Sequence, residues 1–281
     1  MTCLVHRFTQ LDVFSAQALR GNPLAVIHDA DRLSDAQMAA MARWTNLSET
    51  TFLLQPTHPE ADYRVRIFTP HTEFPFAGHP TLGSCQAWLE AGGVPRQAGR
   101  VVQECGAGLV SIRQDGGRLA FAAPACIRTG PLDEATLAHI QRALALSPAD
   151  ILGHQWVDNG PGWCAIRLAS AEQVLALEPD WAALSGLKLG VIGPHAPGGE
   201  AQFEVRALIG DGSGFEDPVT GSLNASLAQW LIGSGQAPSR YVVAQGQRLG
   251  RAGRVHVSSD EQGAVWVGGG VTPCIRGTVT F

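Results

Sequence analysis

Residues 4–14, LVHRFTQLDVF, alternate apolar and polar side chains closely enough to predict a strand, because successive strand residues face opposite sides. Gly21-Asn22-Pro23 predicts a turn, and the apolar run Leu24–Ile27 behind it a second, short strand. The period then changes. Ser34 with Gln37 three positions on has the form of a capping box, and Met38, Met41 and Ala42 give the next segment one apolar face, which predicts a helix. Past Asn46, Leu47-Ser48-Glu49 lead into a predicted strand over Thr50–Leu54, and Tyr63–Phe68 predicts another.

His79-Pro80 opens a predicted helix running to about Ala91, where Gly92-Gly93 stop it; proline suits a first helical turn because its missing N–H is unpaired there anyway. Asp217-Pro218 reads the same way, with Asp as a good N-cap. The helix expected after it, through Leu223, Leu227, Trp230 and Leu231, is apolar around its whole circumference. Such a helix must be surrounded, so each half of the chain is expected to wrap a curved sheet or barrel around a central helix whose N-terminus faces outward. Asp133 as N-cap with Leu137, Ile140 and Leu144 on one face predicts a linking helix, and Tyr241–Ala244, Arg254–Ser258 and Ala264–Val267 predict late strands.

The stretches GHPTLGS (78–84) and EDPVTGS (216–222) share a polar residue, a proline, two further residues and Gly-Ser, 138 positions apart (79 to 217) in a chain of 281. Tyr63-Arg64-Val65-Arg66 precedes the first much as Phe203-Glu204-Val205-Arg206 precedes the second. Tandem duplication is the simplest reading. It predicts an α+β protein of two similar domains, 1–122 and 123–281, with the final strand as the one segment that could return to the first; halves of about 140 residues suffice for separate cores.

Charged residues make up 16% of the chain and apolar ones 45%, which points to a compact body with modest exposed surface. The formal net charge is −5 and there is no basic block, which argues against a nucleic-acid partner. No apolar run approaches the roughly 20 residues needed to cross a bilayer, and the first ten residues lack a signal-peptide core; a cytoplasmic protein with no membrane partner is expected. The six cysteines, at 3, 85, 105, 126, 164 and 274, form no C-x-x-C pair and the nine histidines no H-E-x-x-H, so reduced thiols and no metal are expected.

Helix N-termini carry unpaired backbone N–H groups and the positive end of the helix dipole, and small residues beside them let an anion approach. Two such mouths meeting in one cleft would hold a carboxylate between His79 and Asp217, with Glu49 as a third titratable group. Each residue also has a plainer reading: Asp217 and His79 as helix caps, Glu49 as a surface carboxylate, Ser222 as a small residue packed on the sheet. Capping alone does not explain Gly-Ser and a polar residue kept at the same register in both copies.

Five segments in order carry a resemblance: Asp12-Val13-Phe14 with Gly21-Asn22-Pro23-Leu24-Ala25-Val26, Leu47-Ser48-Glu49-Thr50-Thr51-Phe52, Phe74-Pro75-Phe76-Ala77-Gly78-His79-Pro80-Thr81, Glu216-Asp217-Pro218-Val219-Thr220-Gly221-Ser222, and Gln245-Gly246 followed by Arg251. Over nearly its whole length the chain resembles the PhzF-like isomerases of phenazine biosynthesis. The resemblance implies the diaminopimelate-epimerase-like fold with its active site in the cleft between the domains, no cofactor, and a homodimer. It implies Glu49 as acid/base, His79 and Asp217 as groups that hold or polarise the substrate, and Ser222 with the amides around Gly78 and Gly221 as receiver of a carboxylate. The family reaction implied is isomerisation of trans-2,3-dihydro-3-hydroxyanthranilate: a proton leaves one ring carbon, another receives it, and the enol becomes a ketone. Leu223-Asn224 after the second Gly-Ser departs from the small residues found in many relatives, which bears on substrate. Two alternatives are kept. A racemase or epimerase of this fold would use a cysteine at each helix mouth, where this chain has His79 and Asp217; a non-catalytic binder of a small carboxylate would not need Glu49.

Overall fold

A computed structural model describes residues 4–281, except for the side chain of Asp115; Cys3 therefore lies outside the described residues. The chain divides into two compact units, one running up to Ala122 and completed by Gly268–Phe281, the other Ala123–Val267.

In the first unit, β1 (Val5–Val13) and β2 (Asn22–Ile27) form an antiparallel pair, α1 (Asp35–Thr45) crosses over, and β3 (Thr50–Leu54) lies parallel to β2. β4 (Tyr63–Phe68) is antiparallel to β3 and to the two-residue β5 (Glu73–Phe74). The central helix α2 (Gly78–Glu90) then carries the chain to β6 (Arg100–Cys105), parallel to β4, and the meander continues through β7 (Gly108–Asp115) and β8 (Arg118–Ala122). Parallel neighbours need a crossover of this kind, and both are supplied by helices.

The second unit opens with α3 (Glu134–Leu144) and repeats the plan: β9 (Gly153–Trp156) antiparallel to β10 (Trp163–Arg167), crossover α4 (Ala171–Ala176), β11 (Lys188–Pro194) parallel to β10, then β12 (Phe203–Ile209) and β13 (Phe215–Asp217). Its central helix α5 (Gly221–Gly233) leads to β14 (Arg240–Gln245), parallel to β12, and on to β15 (Gly253–Ser259) and β16 (Val265–Gly269). The last strand, β17 (Val271–Thr280), pairs antiparallel with β1.

Register ties the two plans together residue by residue. Tyr63 faces Gln103 as Phe203 faces Val243, a recurrence of 140 positions. Ile67 faces Phe74 as Ala207 faces Asp217, so the turn before the second helix is three residues longer. The helix starts, Gly78 and Gly221, are accordingly 143 apart.

The local reasons are those the side chains predict. Ser34 and Gln37 complete a reciprocal capping box at α1, and Asp133 accepts from the Thr136 amide at α3. Met38, Met41 and Ala42 of α1 pack on Ile27, Phe52 and Phe68, whereas Ile140 and Leu144 of α3 join Val174, Ile166 and Val191. Burial of one such side chain is worth about 1.5–3 kcal/mol. Helix α2 touches β1, β2, β3, β4, β6, β8 and β17. Close approach requires glycine at two places: a Cβ on Gly83 of α2 would stand 2.4 Å from Leu24 Cδ2, and one on Gly190 of β11 2.5 Å from Leu223 Cδ1. Leu223 is thus a wholly buried core residue, and Asn224 is 1% exposed.

One expectation is corrected. Asp217-Pro218 does not open the second helix; Asp217 ends β13, and Thr220 is the residue before the first turn. Backbone pairing of Asp217 with Ala207 keeps it in the ladder, so the helix begins four residues later. The Gly-Ser register is corrected with it: Gly83-Ser84 lie inside α2 while Gly221-Ser222 start α5, and the residues at matching helix positions are Gly78-His79 and Gly221-Ser222.

Candidate active site

In the first unit, the chain leaves α1 through Asn46 in a left-handed conformation (φ 51°), and three residues later Glu49 stands at the entrance to β3. His79 is the second residue of α2, whose N-cap, Ala77, makes no side-chain capping bond. These two meet: Glu49 Oε2 lies 3.4 Å from His79 Nε2, with the side chains only 13% and 5% exposed. On the other side of the ring, Nδ1 lies 3.5 Å from Asn22 Nδ2, and the imidazole is hydrogen-bonded to the backbone of Pro23. Desolvation dominates its titration and lowers the pKa to about 3 against that bond. The ring beside Glu49 is therefore neutral at physiological pH, a close polar neighbour and not a counter-ion.

Ser84, one turn deeper in α2, donates to Thr51 Oγ1 at 2.9 Å, anchoring the helix to the strand that follows Glu49. Gly78 is buried at the helix start.

In the second unit, Asp217, Gly221 and Ser222 surround the mouth of α5. Asp217 is 8% exposed, and its Oδ2 accepts from the Thr220 hydroxyl at 2.5 Å. The Gln245 amide sets that proton's direction. Its Oε1 accepts from the Thr220 N–H (3.1 Å) and from Asn224 Nδ2 (2.8 Å), so its Nε2 is the donor to the Asp217 carbonyl (3.2 Å) and to Thr220 Oγ1 (3.0 Å). An oxygen already receiving a hydrogen from Gln245 gives its own to Asp217. A buried network closed in this way is rigid. Ser222 Oγ accepts from the Trp163 indole at 3.1 Å, and its carbonyl accepts from Asn159 Nδ2 at 2.9 Å.

Of the residues expected at the site, Glu49, His79 and Gly78 come together in one unit, and Asp217, Gly221 and Ser222 in the other. Asn159 and Trp163 carry no motif of their own, and Thr220 stands within the 216–222 motif without a role of its own. The repeat points to Trp163, because Ala25 pairs with Thr50 as Ala165 pairs with Gly190, which puts Trp163 at the position of Pro23. No group of three or more His, Cys, Asp or Glu suited to a metal ion occurs among the described residues. Cys85 is fully buried inside α2, with its thiol pKa pushed up by desolvation, unlike the thiolate a helix mouth would offer.

Residues 11–277 match the family described as phenazine biosynthesis-like protein. The chain belongs to that family. Trans-2,3-dihydro-3-hydroxyanthranilate isomerase of Pseudomonas aeruginosa is 34% identical to it, over 92% of both chains. Antisense-enhancing sequence 1 of Schizosaccharomyces pombe is 38% identical, over 97% of this chain and 98% of that one. A PhzF-family protein of Bacillus anthracis superposes with a TM-score of 0.82 at 20% identity, covering 98% and 99% of the two chains, a likeness that speaks for the fold alone. The chain is a PhzF-like isomerase with the diaminopimelate-epimerase-like fold. No helix among its described residues is long and apolar enough to cross a membrane.

Proposed function

We propose that this PhzF-family isomerase moves a proton within a small cyclic or unsaturated carboxylic acid, in the manner of trans-2,3-dihydro-3-hydroxyanthranilate isomerase, with Glu49 as the group that carries it. The observation that supports this is the Glu49 carboxyl group held at 3.4 Å from a buried, neutral imidazole. In this reading the Glu49 carboxylate takes a proton from one ring carbon, becomes a carboxylic acid whose hydrogen exchanges with water, and delivers a hydrogen to another carbon. The enol then becomes the ketone as its oxygen gives up a hydrogen and the adjacent ring carbon gains one, so no net proton is consumed.

Neutral His79 and the Asp217 carboxylate hold the substrate's hydroxyl and amino groups, and Ser222 with the amides at Gly78 and Gly221 receives its carboxylate, where helix-terminal N–H groups offset developing negative charge. Further parts of the proposal are a cofactor-independent reaction, a cytoplasmic location and a homodimer; a monomeric mass by light scattering refutes the last. The test is turnover of trans-2,3-dihydro-3-hydroxyanthranilate and related acids by wild type and Glu49→Gln. A general acid–base group is worth about 10²–10⁴-fold in rate, so a Glu49→Gln enzyme as fast as wild type would end the assignment.

A further inference from the structure

The Trp163 indole N–H is a donor and nothing else, and it points at Ser222 Oγ across 3.1 Å. Ser222 must therefore accept that hydrogen, and its own hydroxyl hydrogen has to be given elsewhere. No described residue takes it: the other bonds of Ser222 run to its carbonyl, from Asn159 Nδ2 at 2.9 Å and from the Ser226 hydroxyl at 3.3 Å. Trp163 is 2% exposed, so its ring has one seating and its N–H one direction.

We propose that Trp163 is a positioning residue that commits Ser222 to donating its hydroxyl hydrogen to the substrate carboxylate. This rests on the reading of Ser222 as a carboxylate-binding group. An indole hydrogen bond polarises the hydroxyl and removes the rotamer in which Ser222 would turn a lone pair toward the anion and repel it. Asn159 holds the backbone of the same residue, so hydroxyl and carbonyl are fixed by the first residue of β10 and by the turn ahead of it.

The first unit has the same device in other side chains. Ser222 is the second residue of α5 as His79 is of α2, and His79 is touched by Asn22 and Pro23, the first two residues of β2. In each unit the second residue of the central helix is oriented by the start of a strand beside it, Trp163 being the first residue of β10. A repeated arrangement built from different chemistry is not explained by packing alone.

The test pairs a spectroscopic readout with a binding one. In ¹⁵N-labelled protein the Trp163 indole resonance is identified by its loss in Trp163→Phe. Ser222→Ala is expected to shift that resonance, and an unchanged resonance overturns the proposal whether or not any ligand binds. Affinity for 3-hydroxyanthranilate and its methyl ester is then measured for wild type, Trp163→Phe, Ser222→Ala and the double variant. The acid is expected to bind five- to tenfold more weakly to each single variant, the double variant no more weakly than Ser222→Ala, and the ester equally to all. Wild-type affinity retained in Trp163→Phe, or losses that multiply in the double variant, overturns the positioning role while leaving the carboxylate reading intact. A wild type that binds acid and ester alike overturns both. Where Trp163→Phe fails to fold, the Trp163 indole resonance is assigned in the wild type by through-bond and NOE experiments, and Ser222→Ala alone reads the hydrogen bond.

Discussion

Arg66 and Arg206 occupy the same place in the two units, and each grips a glutamate just ahead of its central helix. Arg66 donates from Nε and a terminal nitrogen to Glu73, and Arg206 does the same to Glu216. Their remaining nitrogens differ. Arg66 reaches Asp35 at the start of α1, with its own side chain 26% exposed and Asp35 84% exposed. Arg206 donates to the carbonyls of Val174 and Leu177 at the end of α4, at 3.2 and 2.7 Å, and both it and Glu216 are 4% exposed. One clamp is thus an exposed charge pair and the other a buried, fully hydrogen-bonded one. Both tie the crossover helix to the turn that delivers the site residues: Phe74 and Gly78 in one unit, Asp217 and Gly221 in the other. The duplicated plan kept the mechanical function and changed the dielectric in which it works.

The largest effect is expected where the buried clamp is cut. Arg206→Ala leaves Glu216 charged and buried, and unfolding in urea should register a loss of about 3–5 kcal/mol; a loss below that of Arg66→Ala would remove the distinction. Next, Gly83→Ala and Gly190→Ala should each cost about 1–3 kcal/mol by overpacking, since the glycine lies on the helix in one unit and on the strand in the other, each against a leucine. Melting temperatures of the two variants check this, and a neutral Gly83→Ala would mean that Leu24 can move aside.

Titration should separate the units by sign. His79 is pushed down to about 3 by burial, so the unfolded chain takes a proton near pH 6.5 that the folded one refuses. Its contribution is complete above pH 6.5 and is lost as pH falls toward 3, by up to about 1.4 kcal/mol per pH unit. Glu204, wholly buried on β12, is raised to about 8 chiefly by desolvation. It keeps a proton that the unfolded chain gives up from pH 4.5, so its contribution is lost as pH rises from 4.5 through 8, with the same limiting slope. Denaturation at a series of pH values should show Glu204→Gln flattening the alkaline side and His79→Gln the acid side. The smallest effect is that of Arg66→Ala, about 1 kcal/mol or less, because its pair with Glu73 is partly solvated.

Much of this was legible from residues 1–93, where alternation, the Ser34–Gln37 box and Gly92-Gly93 each act locally. Glu49 and His79 could be named as site residues but not joined, because 30 positions of chain separate them and only the β3–β4 pairing and α2 bring them together. The second helix start was misplaced because Asp-Pro has the local chemistry of a helix entry, while pairing with Ala207, a long-range fact, holds Asp217 in a strand. The strands β9–β11 were passed over: β10 and β11 read as short apolar runs without alternation, as strands covered on both faces do. Trp163 has no signal except its match to Pro23, which is visible only once the two-unit register is known, and Asn159 has none.

The central claim is that Glu49 carries the proton, and NMR in D₂O tests it most directly. With trans-2,3-dihydro-3-hydroxyanthranilate or a related acid that turns over, wild type should place deuterium at the carbon that receives the proton, and Glu49→Gln should place none while still binding the acid. Deuterium incorporation by Glu49→Gln at the wild-type rate would contradict the account and move the acid/base role to another residue.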